Sequence, residues 1–243
     1  MSNPIIRTED LCKTYDNEGV QTRALCGVSF SVEKGDFVAI MGPSGSGKST
    51  LMQILGFLDR PTGGNYFFEG TNVKNFSDDQ LARIRNQKVG FVFQSFNLLP
   101  RTPVFENVQL PLLYSEAKWR KEQIRAKVEK ALTEVFLEKR MNYLSNQLSG
   151  GEKQRAAIAR ALINQPEIIF ADEPTGNLDS KSGLQIMRIL QKLNDQGKTI
   201  ILVTHETYTA QHAKRIIMMK DGALVGDGLV KNRRIAEQEE NLK

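Results

Sequence analysis

The chain has 243 residues, of which 40% are hydrophobic and 25% are charged, and its formal net charge at pH 7 is +5. These fractions are those of a folded globular protein, and they exclude a disordered, collagen-like or disulfide-scaffold chain. Lys and Arg alternate with Asp and Glu through most of the chain, as in residues 116–130, so the positive charge does not indicate specific nucleic-acid binding.

Short apolar runs alternate with helical segments along the chain. The first 35 residues and residues 63–70 show alternation and glycine-rich turns, which predicts an antiparallel sheet. Five later runs predict buried strands of a sheet covered on both faces, over residues 37–41, 89–93, 167–171, 199–203 and 215–219. The predicted class is therefore α/β, with a mainly parallel core sheet and an attached antiparallel subdomain.

A glycine-rich motif follows the first of these core strands. It matches G-x-x-x-x-G-K-[ST] between a strand and a helix, the arrangement of a phosphate-binding loop. Glycines let successive backbone N–H groups surround phosphate oxygens at a helix N-terminus, where the helix dipole favours anions. Lys48 is expected to reach the β- and γ-phosphates, and Ser49 to offer its hydroxyl to Mg²⁺. The predicted nucleotide-binding residues here are Gly42, Pro43, Ser44, Gly45, Ser46, Gly47, Lys48, Ser49 and Thr50.

Strand patterns disappear between residues 103 and 164. Apolar residues there recur at spacings of three and four, as at Ile124, Val128, Leu132 and Val135. This periodicity predicts a helical subdomain over residues 103–164. Trp119 and Phe136 are expected to be packing residues within it, with an exposed partner-binding aromatic as the alternative.

Residues 148–155, LSGGEKQR, place a serine and two glycines at the start of a helical segment. Such a helix start is a second candidate anion-binding N-terminus. A domain that already holds a phosphate loop does not need it for itself. The sequence therefore indicates that a second copy of the chain takes part in the site.

Two carboxylates, Asp172 and Glu173, follow the apolar run at residues 168–171. They lie at the C-terminal end of a predicted strand, where open α/β sheets bind ligands. With a nucleotide in the phosphate loop, Asp172 is expected to hold Mg²⁺ through water. Glu173 is expected to orient and deprotonate the water that attacks the γ-phosphate. Without the phosphate loop, such a pair would be more typical of a turn or a helix cap.

The combination of the phosphate loop, the acidic pair and LSGGE resembles the ABC (ATP-binding cassette) ATPases, and the resemblance extends from Tyr15 to about Asp227. It implies one nucleotide-binding domain over residues 1–230, with ATP and Mg²⁺ as ligands. It also implies that two subunits, here a homodimer, pair head to tail. The signature of one subunit then covers the γ-phosphate held by the other, through Ser149, Gly150, Gly151 and Glu152.

The resemblance assigns roles to four further residues. Tyr15 resembles the aromatic residue that stacks on adenine, and Gln94 resembles the glutamine that contacts Mg²⁺ and the attacking water. Asp179 resembles the aspartate at the dimer seam, and His205 resembles the histidine that contacts the γ-phosphate across from Glu173. Each has an ordinary structural alternative: a strand residue, a surface amide, a helix N-cap and a strand-end histidine. Their shared order along the chain favours the functional roles.

Two details narrow the resemblance. Glu152 stands where the signature usually has Gln, and residues 93–100 read FQSFNLLP, followed by ENVQLPLLY. Both features are similar to the lipoprotein-releasing and macrolide-export branch. In that family the segment after Gln94 meets the membrane subunit, which would cover the apolar side chains of Phe96, Leu98 and Leu99. The alternative is that these three side chains belong to the core of the helical subdomain.

The expected partners are a second ATPase subunit and integral membrane permease subunits. No apolar run reaches the ~18 residues that cross a bilayer, and no secretion signal opens the sequence. We therefore expect a peripheral protein on the cytoplasmic face of the inner membrane. Two alternatives remain: a soluble ABC ATPase without a transport role, and a cell-division type that transmits force. The charged tail, residues 231–243, is expected to fray or to form a loose helix.

Overall fold

A computed structural model of the chain describes residues 4–242. Its strands are β1 (Ile6–Asn17), β2 (Val20–Val32), β3 (Phe37–Met41), β4 (Gly63–Phe68), β5 (Thr71–Asn72), β6 (Val89–Phe93), β7 (Ile168–Asp172), β8 (Thr199–Thr204), β9 (Arg215–Lys220) and β10 (Ala223–Leu229). Its helices are α1 (Lys48–Leu55), α2 (Asp78–Lys88), α3 (Val104–Leu113), α4 (Lys121–Glu134), α5 (Gly150–Leu162), α6 (Ser180–Asp195) and α7 (Thr207–Ala210). No described helix combines the length and apolar character that spanning a membrane requires.

The central sheet has the strand order β10-β9-β3-β8-β7-β6, and only β10 pairs antiparallel within it. Every residue of β3 is buried. Its side chains alternate between two cores, because successive residues of a strand face opposite sides of the sheet. Phe37, Ala39 and Met41 pack into one core, and Val38 and Ile40 pack into the other. This sheet confirms the predicted α/β class.

A second sheet, with the strand order β2-β1-β4-β5, covers one of these cores. Its pairs are antiparallel, as the N-terminal pattern predicts. Leu11 of β1 and Val28 of β2 are fully buried with Leu51 of α1 in the same hydrophobic cluster. The cluster therefore holds α1, and with it the start of the phosphate loop's helix, between the two sheets.

Helices α3, α4 and α5 occupy the stretch expected to be helical and pack over the other core. Trp119 packs against this core, and its indole N–H donates to Ser115 Oγ over 2.9 Å. Phe136, expected to be a packing residue, is instead 66% exposed, so that expectation is wrong. It lies in a left-handed turn after α4, with φ of 57°, and this turn carries its ring away from the helix's buried face.

The tail does not fray within the described residues. Ala236 and Leu242 are buried against the core that also contains residues of α6. The side chain of Gln191 on α6 donates to Arg234 O over 2.8 Å and accepts from Ala236 N–H over 2.8 Å. Arg188 on α6 donates to Ala236 O over 2.9 Å. The tail has more charged than apolar residues, and this composition led to the wrong prediction of a loose tail. Two buried side chains and hydrogen bonds between α6 and the tail backbone hold it in place.

Replacing Leu242 with Ala should therefore lower the free energy of unfolding by about 2 kcal/mol, since it empties a buried site. Leu229→Ala is the matched control, because Leu229 is 80% exposed and its change should cost less than about 0.5 kcal/mol. Chemical denaturation followed by circular dichroism measures both. Equal midpoints for the two variants would contradict the packed tail.

Candidate functional site

A cavity of about 830 Å³ lies at the edge of the central sheet where β3, β7 and β8 end. Parallel strands bring their C-terminal ends to one edge, so the segments that follow them meet there. Thr22, Arg23 and Ala24 of β2 close one side. The sequence-predicted residues that line the cavity are Gly42, Pro43, Ser44, Gly45, Ser46, Gly47, Lys48, Ser49, Thr50, Asp172, Glu173 and His205.

Two glycines of the loop are required by close backbone contacts. Gly47, the N-cap of α1, has φ of 94°, and a Cβ there would lie 2.6 Å from Ala24 O. A Cβ on Gly42 would lie 2.2 Å from Met219 O. Both contacts are far too short for a side chain. The loop therefore wraps tightly against β2 and β9 while leaving the N-terminus of α1 open to the cavity.

Lys48 is 8% exposed, and its ammonium group lies within the loop. Nζ donates to Gly42 O over 2.9 Å and to Pro43 O over 2.8 Å. These acceptors are neutral carbonyls rather than a carboxylate. Within residues 4–242, no carboxylate pairs directly with this ammonium group, so its positive charge is available to an anionic ligand.

Glu173 and His205 are in direct contact. His205 Nδ1 lies 2.6 Å from Glu173 Oε1, and the His205 backbone N–H donates to the same oxygen over 2.9 Å. The hydroxyl of Thr204 donates to Glu173 Oε2 over 2.9 Å. Glu173 has φ of 44°, a left-handed conformation that is uncommon outside glycine and recurs at functional sites. Both carboxylate oxygens are thus fixed by groups at the end of β8.

Asp172 is the last residue of β7, next to Glu173. Burial raises the pKa of its carboxyl, the negative charge of Glu173 raises it further, and Lys48 acts in the opposite sense. An additional positive charge in the cavity would stabilise the ionised form. The site therefore has hard oxygen donors, from Asp172 and Ser49.

Gln94 and Tyr15 are not among the residues that line the cavity. Gln94 Nε2 donates to Asn177 Oδ1 over 3.3 Å, and Asn177 Nδ2 donates back to Gln94 O over 3.0 Å. Tyr15 is half-buried, and its hydroxyl donates to Asp59 over 3.0 Å. Tyr15 pairs across the sheet with Thr22, which does line the cavity. The aromatic ring is therefore placed beside the cavity rather than in it.

Within the part of the chain that the structure describes, the signature residues do not line the cavity. They are Ser149, Gly150, Gly151 and Glu152. Ser149 is the N-cap of α5, and its Oγ accepts from the N–H of Glu152 over 3.3 Å. A Cβ on Gly151 would lie 2.9 Å from Ser182 Oγ. Gly151 therefore lets the start of α5 approach the start of α6. Within one copy, this helix N-terminus is a separate structure from the phosphate loop.

Asp179 is the N-cap of α6, which matches its structural alternative. It accepts from Ser182 N–H over 2.9 Å and from Ser182 Oγ over 2.6 Å. These hydrogen bonds lower the pKa of its carboxyl. Because α5 and α6 meet at Gly151 and Ser182, Asp179 lies beside the signature.

Sequence reasoning missed Thr204, Asn177 and Thr22. Thr204 ends a buried strand, and no spacing distinguishes its hydroxyl from those of ordinary strand threonines. Asn177 meets Gln94 only through the fold, across 83 positions of sequence. Thr22 is an exposed strand residue of the second sheet, so no pattern connects it to the phosphate loop.

Comparisons with known proteins agree with this geometry. The model of the family "ABC transporter" matches residues 25–176. The macrolide export ATP-binding/permease protein MacB of Bdellovibrio bacteriovorus is 52% identical over 223 residues, which are 92% of this chain and 34% of that protein. This chain thus spans about a third of that relative. An uncharacterized ABC transporter ATP-binding protein of Thermotoga maritima is 49% identical over 91% of this chain and 94% of its own length.

Solved structures show the same fold. The dimeric, post-hydrolysis state of the ATP-binding cassette MJ0796, bound to ADP and Pi, superimposes with a TM-score of 0.86 and 44% identity. That match covers 93% of this chain and 99% of the other. These relatives confirm the resemblance to ABC cassettes of the macrolide-export branch. The chain belongs to the ABC transporter family and corresponds to its ATP-binding cassette.

Proposed function

We propose that the chain powers a separate membrane permease of the export or lipoprotein-release type, working as a head-to-tail homodimer. One observation carries the proposal. A single copy holds the phosphate loop with Glu173 and His205 in one place, and a second anion-binding helix start, at Ser149, in another. Pairing two copies head to tail would bring the helix start at Ser149 of one copy to the phosphate loop of the other.

In the proposed reaction, water attacks the γ-phosphorus while the bond to the ADP oxygen breaks. Lys48 exchanges its carbonyl partners for phosphate oxygens and neutralises their charge. Glu173 accepts a proton from the attacking water. His205 and Thr204 hold its two oxygens, so the base is oriented before the nucleotide arrives. His205, with a side chain 64% exposed, is also available to contact the γ-phosphate.

The donor set fits Mg²⁺, which would neutralise phosphate charge when bound. Among the described residues, no group of three or more His, Cys, Asp or Glu side chains could hold a metal ion. That agrees with magnesium, which is usually bound by one or two carboxylates together with substrate phosphates. Ser49 and Asp172 would hold it. Gln94 would join them only after leaving Asn177, and Tyr15 would stack on adenine from the cavity's edge.

ATP binding would join two copies, because each γ-phosphate would contact both the loop of one subunit and Ser149, Gly150 and Gly151 of the other. Asp179, beside the signature, would lie at the same seam. Hydrolysis would remove that link and let the copies separate. The cycle of closing and opening would move the permease.

A groove of about 540 Å³ between β6 and the helices is the proposed permease-docking surface. Its walls include Phe91, Phe93 and Pro111, and Arg160 crosses it to donate to Phe96 O over 2.8 Å. Large apolar side chains on its rim remain in solvent, Leu58 being 47% and Tyr114 78% exposed. A permease segment would cover them. The relatives' permease domains support such a partner, which would hold the chain peripherally at the cytoplasmic face of the inner membrane.

Leu58→Asp should abolish co-purification of an integral membrane protein with the tagged chain from detergent-solubilised membranes, because it places a charge in the docking groove. Leu229→Asp is the matched control, since Leu229 is exposed on β10 outside the groove. Mass spectrometry of the bound material identifies the permease. Capture of no integral membrane protein by the unaltered chain, or equal capture by both variants, would contradict the transporter assignment.

A further inference from the structure

The start of α5 holds a carboxylate at the third position of the helix. Glu152 Oε2 accepts from the Ser149 N–H over 2.9 Å, and Ser149 Oγ accepts from the Glu152 N–H over 3.3 Å. This reciprocal pair is a capping box. It fixes the conformation of Ser149 and removes two of the N–H groups that a helix start leaves without partners.

Donors remain at this helix start. Among the described residues, the N–H groups of Gly150 and Gly151 have no hydrogen-bond acceptor, whereas the Ser149 hydroxyl is already engaged with Glu152. Ser149 is exposed, Gly150 is half-buried and Gly151 is buried. The N–H groups at this helix start, that of Gly150 most openly, can donate to phosphate oxygens of a second copy's nucleotide.

The carboxylate of Glu152 creates an electrostatic conflict at this position. A negative charge in the first helical turn stabilises the helix, but it also repels any other anion that approaches the same N-terminus. A glutamine would provide the same acceptor without the charge. An unpaired Glu152 would therefore weaken the contact with a γ-phosphate.

Arg140 forms an ion pair with this carboxylate. It lies in the turn after α4, and its Nε donates to Glu152 Oε1 over 2.8 Å. Its guanidinium also lies over the ring of Tyr143, 4.6 Å from the ring centre. The side chain of Glu152 is 19% exposed and that of Arg140 is 40% exposed, so the carboxylate is better shielded from solvent than its partner. The hydrogen bond from Arg140, together with that from the Ser149 N–H, lowers the pKa of the Glu152 carboxyl.

We propose that Arg140 is a positioning residue for the site shared between two copies. By neutralising Glu152 while leaving its hydrogen bond to Ser149 intact, it lets the charged signature LSGGE accept the partner nucleotide's γ-phosphate. Arg140 does not touch the nucleotide; it acts through Glu152 and Ser149. The proposal rests on the head-to-tail dimer of the proposed function.

A double-mutant cycle tests it, with ATPase kcat and KM measured for Arg140→Ala, Glu152→Gln and the double variant. Arg140→Ala should lower kcat by about tenfold in the wild-type background, because it leaves the carboxylate uncompensated. The same change in the Glu152→Gln background should lower kcat by less than about threefold, because no charge remains to compensate. A merely structural arginine would cost the same in both backgrounds, and that result would overturn the proposal.

Arg125→Ala is the matched control, because Arg125 forms an Arg–Glu pair of the same 2.8 Å length with Glu129 in the same group of helices. It should leave kcat unchanged. ATP affinity of the single copy, measured by calorimetry, should be unaffected by Arg140→Ala; a loss of affinity there would also overturn the proposal. ATP-dependent dimerisation of the Glu173→Gln chain tests the dimer itself. Failure of that dimerisation would contradict the proposed function, whatever the cycle shows.

Discussion

Replacing Glu173 with Gln should lower kcat for ATP hydrolysis by about 10²–10⁴-fold, the usual contribution of a general base. The amide keeps the size of the side chain, and its single oxygen can still accept from the His205 backbone N–H while its NH2 group donates to the Thr204 hydroxyl. It cannot take a proton from water at neutral pH. The dissociation constant for ATP should therefore change little while turnover nearly stops.

Glu167→Gln is the control for this prediction. Glu167 directly precedes β7, at the end of the strand opposite to Glu173, and pairs with Lys88 over 3.4 Å. Its turnover should stay within about twofold of wild type, as expected for a surface ion pair. Phosphate release measures both rates. A Glu173→Gln chain that hydrolyses ATP as fast as the Glu167→Gln chain would show that the base lies elsewhere.

Replacing Lys48 with Ala should weaken ATP binding by about 100-fold, equivalent to about 2.7 kcal/mol, as expected when charge-assisted hydrogen bonds to an anion are lost. The structure supplies two reasons. Lys48 is the loop's buried ammonium group, and its removal leaves Asp172 and Glu173 facing the cavity without the nearby positive charge. Both effects disfavour a polyanionic ligand.

Isothermal calorimetry with ATP measures this loss. Lys130→Ala, a change on the exposed side of α4, is the control and should bind ATP like the wild type. Thermal unfolding of each variant checks that the fold is intact. If Lys48→Ala bound ATP with a dissociation constant within threefold of the wild-type value, the assignment of the phosphate loop would be wrong.

The elements that the sequence predicts best are those that are formed by residues adjacent to one another in the chain. The phosphate loop needs a strand, glycines and a helix in immediate succession, so residues 37–55 contain the complete signal. The ends of the predicted core strands differ from the observed ends by at most one residue. Buried strands in a two-sided sheet are continuous apolar runs, and turn residues mark where they stop.

The parts that depend on contacts between distant segments could not be predicted from spacing. Glu173 and His205 meet because β7 and β8 are neighbours in parallel register, with Asp172 opposite Val203. Each of the two residues follows the C-terminal end of a predicted strand, which suggested that they lie close together. Their contact depends on the order of the strands in the sheet, which the sequence does not show. The pairing of Arg140 with Glu152 joins a turn to a helix start, and no pattern in either segment indicates the other.

Composition misled the prediction for the tail. Its charged residues outnumber its apolar ones, yet Ala236 and Leu242 are buried, and Arg188 and Gln191 bind its backbone. Backbone hydrogen bonds carry no sequence signature. For Phe136 the error was the opposite one. Its apolar character predicted a buried side chain, whereas the turn after α4 exposes it.

The central claim, that one copy holds only half of each active site, is tested most directly by the mass of the Glu173→Gln chain in Mg²⁺ and ATP. Sedimentation equilibrium should give about twice the 27.3 kDa of one copy with ATP, and the mass of a single copy with ADP. Hydrolysis is slowed about 10²–10⁴-fold in this variant, so the ATP-bound dimer should persist while ATP is in excess. A chain that stays at the mass of one copy while saturated with ATP would contradict the shared site.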